Sequence, residues 1–196
     1  MNLRFALLLG AGCASSAEPQ ADRLPATATA APKRSHVGEP LPLEKGLVLV
    51  YEATINDKRE RWVTEVVDVY ESGPITAYRV KGWPSDLVDG MATERTLVRS
   101  FDHYLWSEQK VASLDGAQRW FTWPLTPGQR ICEEPDSRYC WEVAVEKGRY
   151  DLTYRTNPDD QTFELTPGIG LTRYIYHHHG SRLDIDAKLV ERTPPR

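Results

Sequence analysis

The chain has 196 residues, with 24 basic against 28 acidic side chains for a formal net charge of −4, and it carries six tryptophans and three cysteines. That length suits one well-buried domain rather than two. The mild acidity excludes a general nucleic-acid binder, which needs a basic footprint to neutralise phosphates.

Residues 1–12 contain the parts of a secretory signal in order: Arg4, the apolar run Phe5 to Leu9, then the small residues Gly10, Ala11 and Gly12 before Cys13. As a helix, Phe5 to Gly12 would reach only about 12 Å, against a hydrocarbon core of roughly 30 Å, so it reads as a removed signal and not as a span. The stretch Leu9-Gly-Ala-Gly-Cys13 resembles the lipobox of bacterial lipoproteins, with Gly10 standing where that pattern prefers leucine. The resemblance implies that Cys13 becomes an acylated N-terminus holding the protein on a membrane. Ala14, by similarity to lipoproteins sorted in double-membrane bacteria, implies the outer membrane and a domain facing the periplasm. Loss of Arg4 with the leader leaves 23 basic against 28 acidic residues, or −5.

Residues 13–40 read as the lipidated cysteine and a tether. Ala14 to Pro40 is rich in Ala, Ser, Thr and Pro, shows neither helix nor strand period, and cannot bury enough apolar area to offset its ordering entropy. Lys33 and Arg34 read as a solvated basic pair. The β-rich domain is expected over 41–192, with 193–196 as a short tail.

Within that domain β-branched and aromatic residues come in short runs separated by Asn, Asp, Gly and Pro. Strands are predicted at Leu47 to Ile55, Trp62 to Tyr70 (after a turn at Asn56-Asp57-Lys58), and Ile75 to Trp83. A loop over Pro84 to Gly90 precedes strands at Ala92 to Arg99, Tyr104 to Glu108 and Arg119 to Trp123. Only Gln109 to Gly116 suits a short helix. Further strands are predicted at Tyr139 to Glu146, Arg149 to Arg155, Thr162 to Leu165, Leu171 to His178 and Leu183 to Val190. About ten consecutive strands with short connections predict an all-β fold, a single antiparallel barrel or a two-layer sandwich. The tetrapeptide Leu-Thr-Pro-Gly recurs at 125–128 and 165–168, where Pro-Gly suits type II turns.

Once Cys13 is set aside for acylation, Cys132 and Cys140 remain as an even pair that an oxidising compartment should join. The intervening segment reads as a hairpin loop that would bring them together.

The best candidate for chemistry is Tyr176-His-His-His-Gly-Ser181, since alternate histidines on a strand share a face and can bind a transition metal. A two-residue type II′ turn at Gly180-Ser181 would pair His178 with Leu183, His177 with Asp184, Tyr176 with Ile185 and Tyr174 with Ala187. Tyr174, Tyr176, Ile185, Ala187 and Leu189 then face the core, while His177, His179 and Asp184 share the solvent face as candidate zinc ligands. Arg182 opposite His179 opposes metal binding, and Arg173 opposite the like-charged Lys188 speaks against the register. Exposed hairpin histidines are the plainer reading. Ser100 and Ser181 sit in no nucleophile elbow, no glycine-rich phosphate loop occurs, and Asp159-Asp160 falls in a predicted turn. No cofactor is expected.

Trp62, Trp83, Trp106, Trp120, Trp123 and Trp141 should mostly fill the core, with the walls of an apolar-ligand cavity as the minority reading. Finally, Phe163 to Gly180, with its Pro-Gly-Ile-Gly-Leu turn, resembles a segment near the C-terminus of a family of uncharacterised bacterial envelope lipoproteins, in which valine replaces Ile169. The resemblance implies a β-rich envelope domain and carries over no catalytic residue. Together these features predict a non-catalytic, membrane-anchored lipoprotein that binds or scaffolds an unknown envelope protein. A half-barrel carrier for an apolar ligand, as in outer-membrane lipoprotein insertion factors, and a metal-dependent hydrolase at His177 and His179 are the alternatives.

Overall fold

The computed structural model of the protein describes residues 38–107, 118–132, 134 and 137–195. The leader, Cys13, most of the tether and the helix expected at Gln109 to Gly116 lie outside the described residues. Among the described residues there are twelve strands: β1 (Val48–Ile55), β2 (Lys58–Ser72), β3 (Ile75–Lys81), β4 (Glu94–Ser100), β5 (His103–Ser107), β6 (Gln118–Thr122), β7 (Arg130–Cys132), β8 (Cys140–Glu146), β9 (Arg149–Arg155), β10 (Asp159–Thr166), β11 (Gly170–His178) and β12 (Leu183–Thr193). A 3₁₀ helix at Pro84–Val88 follows β3, inside the expected loop.

All twelve strands join one antiparallel sheet in the order β6-β5-β4-β3-β2-β1-β12-β11-β10-β9-β8-β7, curled into a nearly closed barrel and not split into a sandwich. Every neighbour is a sequence neighbour except β1 and β12, which pair to close the middle of the sheet. The terminal strands β6 and β7 are consecutive in the chain but do not pair with each other.

The turns follow their residues. Asn56 and Asp57 both adopt positive φ (46° and 69°) between the paired Ile55 and Lys58, as a type I′ turn requires. Both Leu-Thr-Pro-Gly segments form the expected type II turn: Gln129 N–H donates to the Thr126 carbonyl at 3.1 Å and Ile169 N–H to that of Thr166 at 2.9 Å, with Gly128 and Gly168 at positive φ.

Alternation along each strand sends Leu49, Tyr51, Tyr78, Val80, Leu97, Val143, Leu152, Phe163, Leu165, Tyr174, Ile185 and Ala187 to the interior. Four β-bulges break that alternation, at β1/β12, β2/β3, β5/β6 and β10/β11. At the β5/β6 bulge Trp120 is the extra residue, so Trp120 and Phe121, adjacent in sequence, are both buried. Trp120 becomes the hub of the interior, with ring centroids 5.2 Å from Phe163, 6.3 Å from Trp83 and 6.4 Å from Trp141. Phe163 continues the cluster to Tyr174 at 5.0 Å. Trp83 and Trp120 are thus core, while Trp62, Trp123 and Trp141 pack against it partly buried.

The antiparallel order defines two ends. At the proximal end the described chain begins: Glu39 joins Arg99 in an ion pair, its carbonyl accepts the Gly168 N–H at 2.7 Å, and Leu41, Leu43 and Leu47 plug the barrel. The packed domain therefore starts a few residues before the expected boundary at 41. The 3₁₀ helix, with Trp83 and Leu87 buried, packs against β11 and β12 at the distal end. Among the described residues no helix is long and apolar enough to cross a membrane.

Candidate functional site

The β11–β12 hairpin carries the histidines at the distal end, and its register matches the expected one: His178 faces Leu183, His177 faces Asp184, Tyr176 faces Ile185 and Tyr174 faces Ala187. The clash expected between Arg173 and Lys188 is removed by Asp186, which takes a two-pronged bond from Arg173 (2.7 and 2.8 Å) and an ion pair with Lys188 at 3.2 Å. Arg173 accordingly holds the Asp186 carboxyl below its ordinary range. The turn itself differs. Positive φ falls on Arg182 (55°), and Gly180 owes its place to a different constraint, since a Cβ there would come within 2.8 Å of the His178 ring.

Each histidine is matched to one acid. The His178 Nδ1 accepts the N–H groups of Gly180 and Ser181 at 3.0 and 2.7 Å, which places its proton on Nε2, 3.7 Å from Asp159. The His177 Nδ1 lies 2.8 Å from Asp184 and must carry the proton, because a carboxylate only accepts. The His179 Nε2 lies 3.3 Å from Asp160. The predicted ligand set is therefore divided: His177 and Asp184 come together, whereas His179 turns to Asp160. Among the described residues no three His, Cys, Asp or Glu side chains are grouped to hold a metal ion. His103, at the start of β5, lies at the proximal end and bonds to Thr122 at 2.9 Å, away from this hairpin.

Two acids near the hairpin carry further hydrogen bonds. Tyr176, on β11, donates to Asp159 at 2.7 Å, and burial together with this bond pushes its phenol up to about 12. Asp159 and Asp160 thus lie in β10, a correction to the turn expected there; Pro158 ends the preceding turn and strand pairing resumes at once. Asp86, in the 3₁₀ helix, is wholly buried, pairs with Arg95 and accepts from Thr93 N–H and Oγ1 at 2.8 and 3.0 Å. Local sequence gave no sign of it, because its partners come from β4 and from Thr93 just before it.

Cys132 and Cys140 face each other across β7 and β8 and form the expected disulfide, Cα atoms 4.3 Å apart. It staples the strand at the sheet's free edge. On the outer face of β1, β2 and β12 an open groove of about 510 Å³ is lined by Glu52, Arg59, Glu60, Arg61, Val190 and Glu191. Arg61 and Glu191 pair across it at 2.9 Å, half-exposed, so its charges largely neutralise one another in water.

The arrangement as a whole can accept and donate hydrogen bonds at its distal rim. No family model matches the chain, and no curated protein matches it. Among solved structures, the chain is similar to a presumed exported protein with a YmcC-like fold from Bacteroides fragilis, at 13% identity and a TM-score of 0.46, over 79% of this chain and 98% of that one. It is also similar to a presumed lipoprotein from Parabacteroides distasonis, at 9% identity and a TM-score of 0.45, over 78% of this chain and 97% of that one.

Proposed function

We propose that the protein is a lipid-anchored barrel of the bacterial envelope that binds or scaffolds an envelope partner through its surface and performs no chemistry of its own. The observation that carries this reading is the packing of the interior: Trp83, Trp120, Trp141, Phe163 and Tyr174 contact one another in a continuous aromatic cluster from β6 to β11. Rings that fill the space between opposite walls leave recognition to the outer faces and the ends. The lipobox-like segment ending in Cys13 supplies the anchor, and the disulfide fits an oxidising compartment.

Mass spectrometry of the protein purified from its own membranes tests both parts. The expected result is an acylated N-terminal Cys13 with no apolar molecule retained after native purification. An unmodified N-terminus overturns the anchor. A stoichiometric co-purified lipid overturns the filled interior and favours the carrier.

A further inference from the structure

Two apolar side chains stand exposed in turns at the proximal end. Phe101, at the tip of the β4–β5 turn, is 72% exposed and sits at φ 56°. A bulky residue is strained in that left-handed region, where Gly, Asn or Asp would be at ease. The position thus carries two costs, a backbone outlier and a hydrated ring, and a backbone outlier is a ground for a hypothesis of function. Ile169, 43% exposed, closes the type II turn between β10 and β11 at the same end.

These two turns lie near the place where the chain enters the domain. Arg99 links them to it: its guanidinium pairs with Glu39 and its Nε–H also reaches the Phe101 carbonyl at 3.3 Å. On the other side the Gly168 N–H, one residue before Ile169, donates to the Glu39 carbonyl. The described chain therefore begins, at residues 38 and 39, at the same end as Phe101 and Ile169. Lys147, highly exposed at the β8–β9 turn and paired with Glu146, belongs to the same end, as does Asp102 beside His103.

We propose that this end is a bilayer-contacting face, with Phe101 and Ile169 inserting among lipid headgroups while the acyl anchor holds the domain down. The proposal rests on the anchor reading above. Insertion of apolar side chains accounts for the strained phenylalanine, because partition of the ring into the interface offsets the cost of exposing it. The mixed charge of the rim makes the contact chiefly apolar and only weakly dependent on salt.

The test uses the acylated full-length protein in vesicles of phosphatidylethanolamine and phosphatidylglycerol. An environment-sensitive fluorophore is attached through Asp102→Cys at the proximal end or through Met91→Cys, an exposed position at the distal end. The expected result is blue-shifted emission and an iodide quenching constant about threefold smaller at position 102 than at 91. Adding Phe101→Gly and Ile169→Ser to Asp102→Cys should abolish the difference, while the unfolding midpoint stays level or rises because the backbone strain is gone. Equal quenching at 102 and 91, or a difference that survives both substitutions, overturns the proposal. Shielding at 102 in a protein whose Cys13 proves unacylated would instead support the contact face and overturn the anchor alone.

Discussion

Asp86→Ala should be among the most destabilising single substitutions in the domain. The carboxylate has no accessible surface, its Arg95 partner is only 13% exposed, and Thr93 contributes two further bonds at 2.8 and 3.0 Å. Removing one partner of a buried, hydrogen-bonded ion pair leaves the other charge uncompensated and costs roughly 3–5 kcal/mol. Against a total stability on the order of 5–15 kcal/mol, that is a large share. With a urea slope of about 2 kcal/mol/M the transition midpoint should fall by roughly 2 M. Asp86→Asn keeps the shape and part of the Thr93 bonding and should lose about half as much. The double variant Asp86→Ala/Arg95→Met removes the stranded charge and should recover at least half of the loss, giving a coupling on the order of 1.5 kcal/mol or more. Chemical denaturation followed by tryptophan fluorescence reads all three. A loss below about 1 kcal/mol in Asp86→Ala, or strictly additive effects in the double variant, would refute the reasoning that this charge is desolvated and held by its partner.

Further outcomes are expected. Cys132→Ser/Cys140→Ser, or reduction with a thiol, should destabilise by about 2.5 kcal/mol, the chain-entropy value for so small a loop, measurable as a lowered melting temperature. Asp68 is held down to about 2 by hydrogen bonds from Lys45 and Tyr70. Because the folded form binds protons more weakly than the unfolded chain, this group stabilises above pH about 4, and the contribution is lost as pH falls towards 2. Screened by solvent, it should amount to about 1 kcal/mol, and Asp68→Asn should flatten the stability profile across that window. Gly180→Ala should cost about 1–2 kcal/mol by forcing the His178 ring off the two N–H groups it accepts, seen as loss of protection of the Ser181 amide in hydrogen exchange.

Much of the β11–β12 hairpin was legible because its strands alternate strictly and a short loop fixes the pairing, so one registered contact implies the next. The Pro-Gly turns were legible for the same local reason. What failed to show were features settled by distant partners. Strand β7 has three residues, too few for any period, and exists because Ile131 packs beside Trp141 and Cys132 bonds to Cys140. Asp159 and Asp160 look like turn residues by composition, yet they begin β10 because Tyr176 and the histidines of the next strand satisfy them. Likewise the bulge that places Trp120 at the centre of the core depends on its partner strand, and period-2 reading of Arg119 to Trp123 sends either Trp120 or Phe121 outward. Of the candidate site, the pairing of His177 with Asp184 followed from register, whereas the diversion of His179 to Asp160 depended on β10.

The two ends of the barrel differ in a way that bears on what each can do. At the distal end each of the three hairpin histidines has an acid within reach, and Asp86 is closed in by Arg95 and Thr93, so the polar groups described there are engaged with the fold. At the proximal end the polar contacts of Glu39 likewise serve to fasten the chain, but Phe101 and Ile169 stand beyond them with no such compensation. Folding alone would favour Gly or Asn at position 101, and would favour a polar residue at both positions. Partition of these two side chains into the bilayer proposed to lie against this end would offset the cost of exposing them, and nothing comparable is required of the distal end.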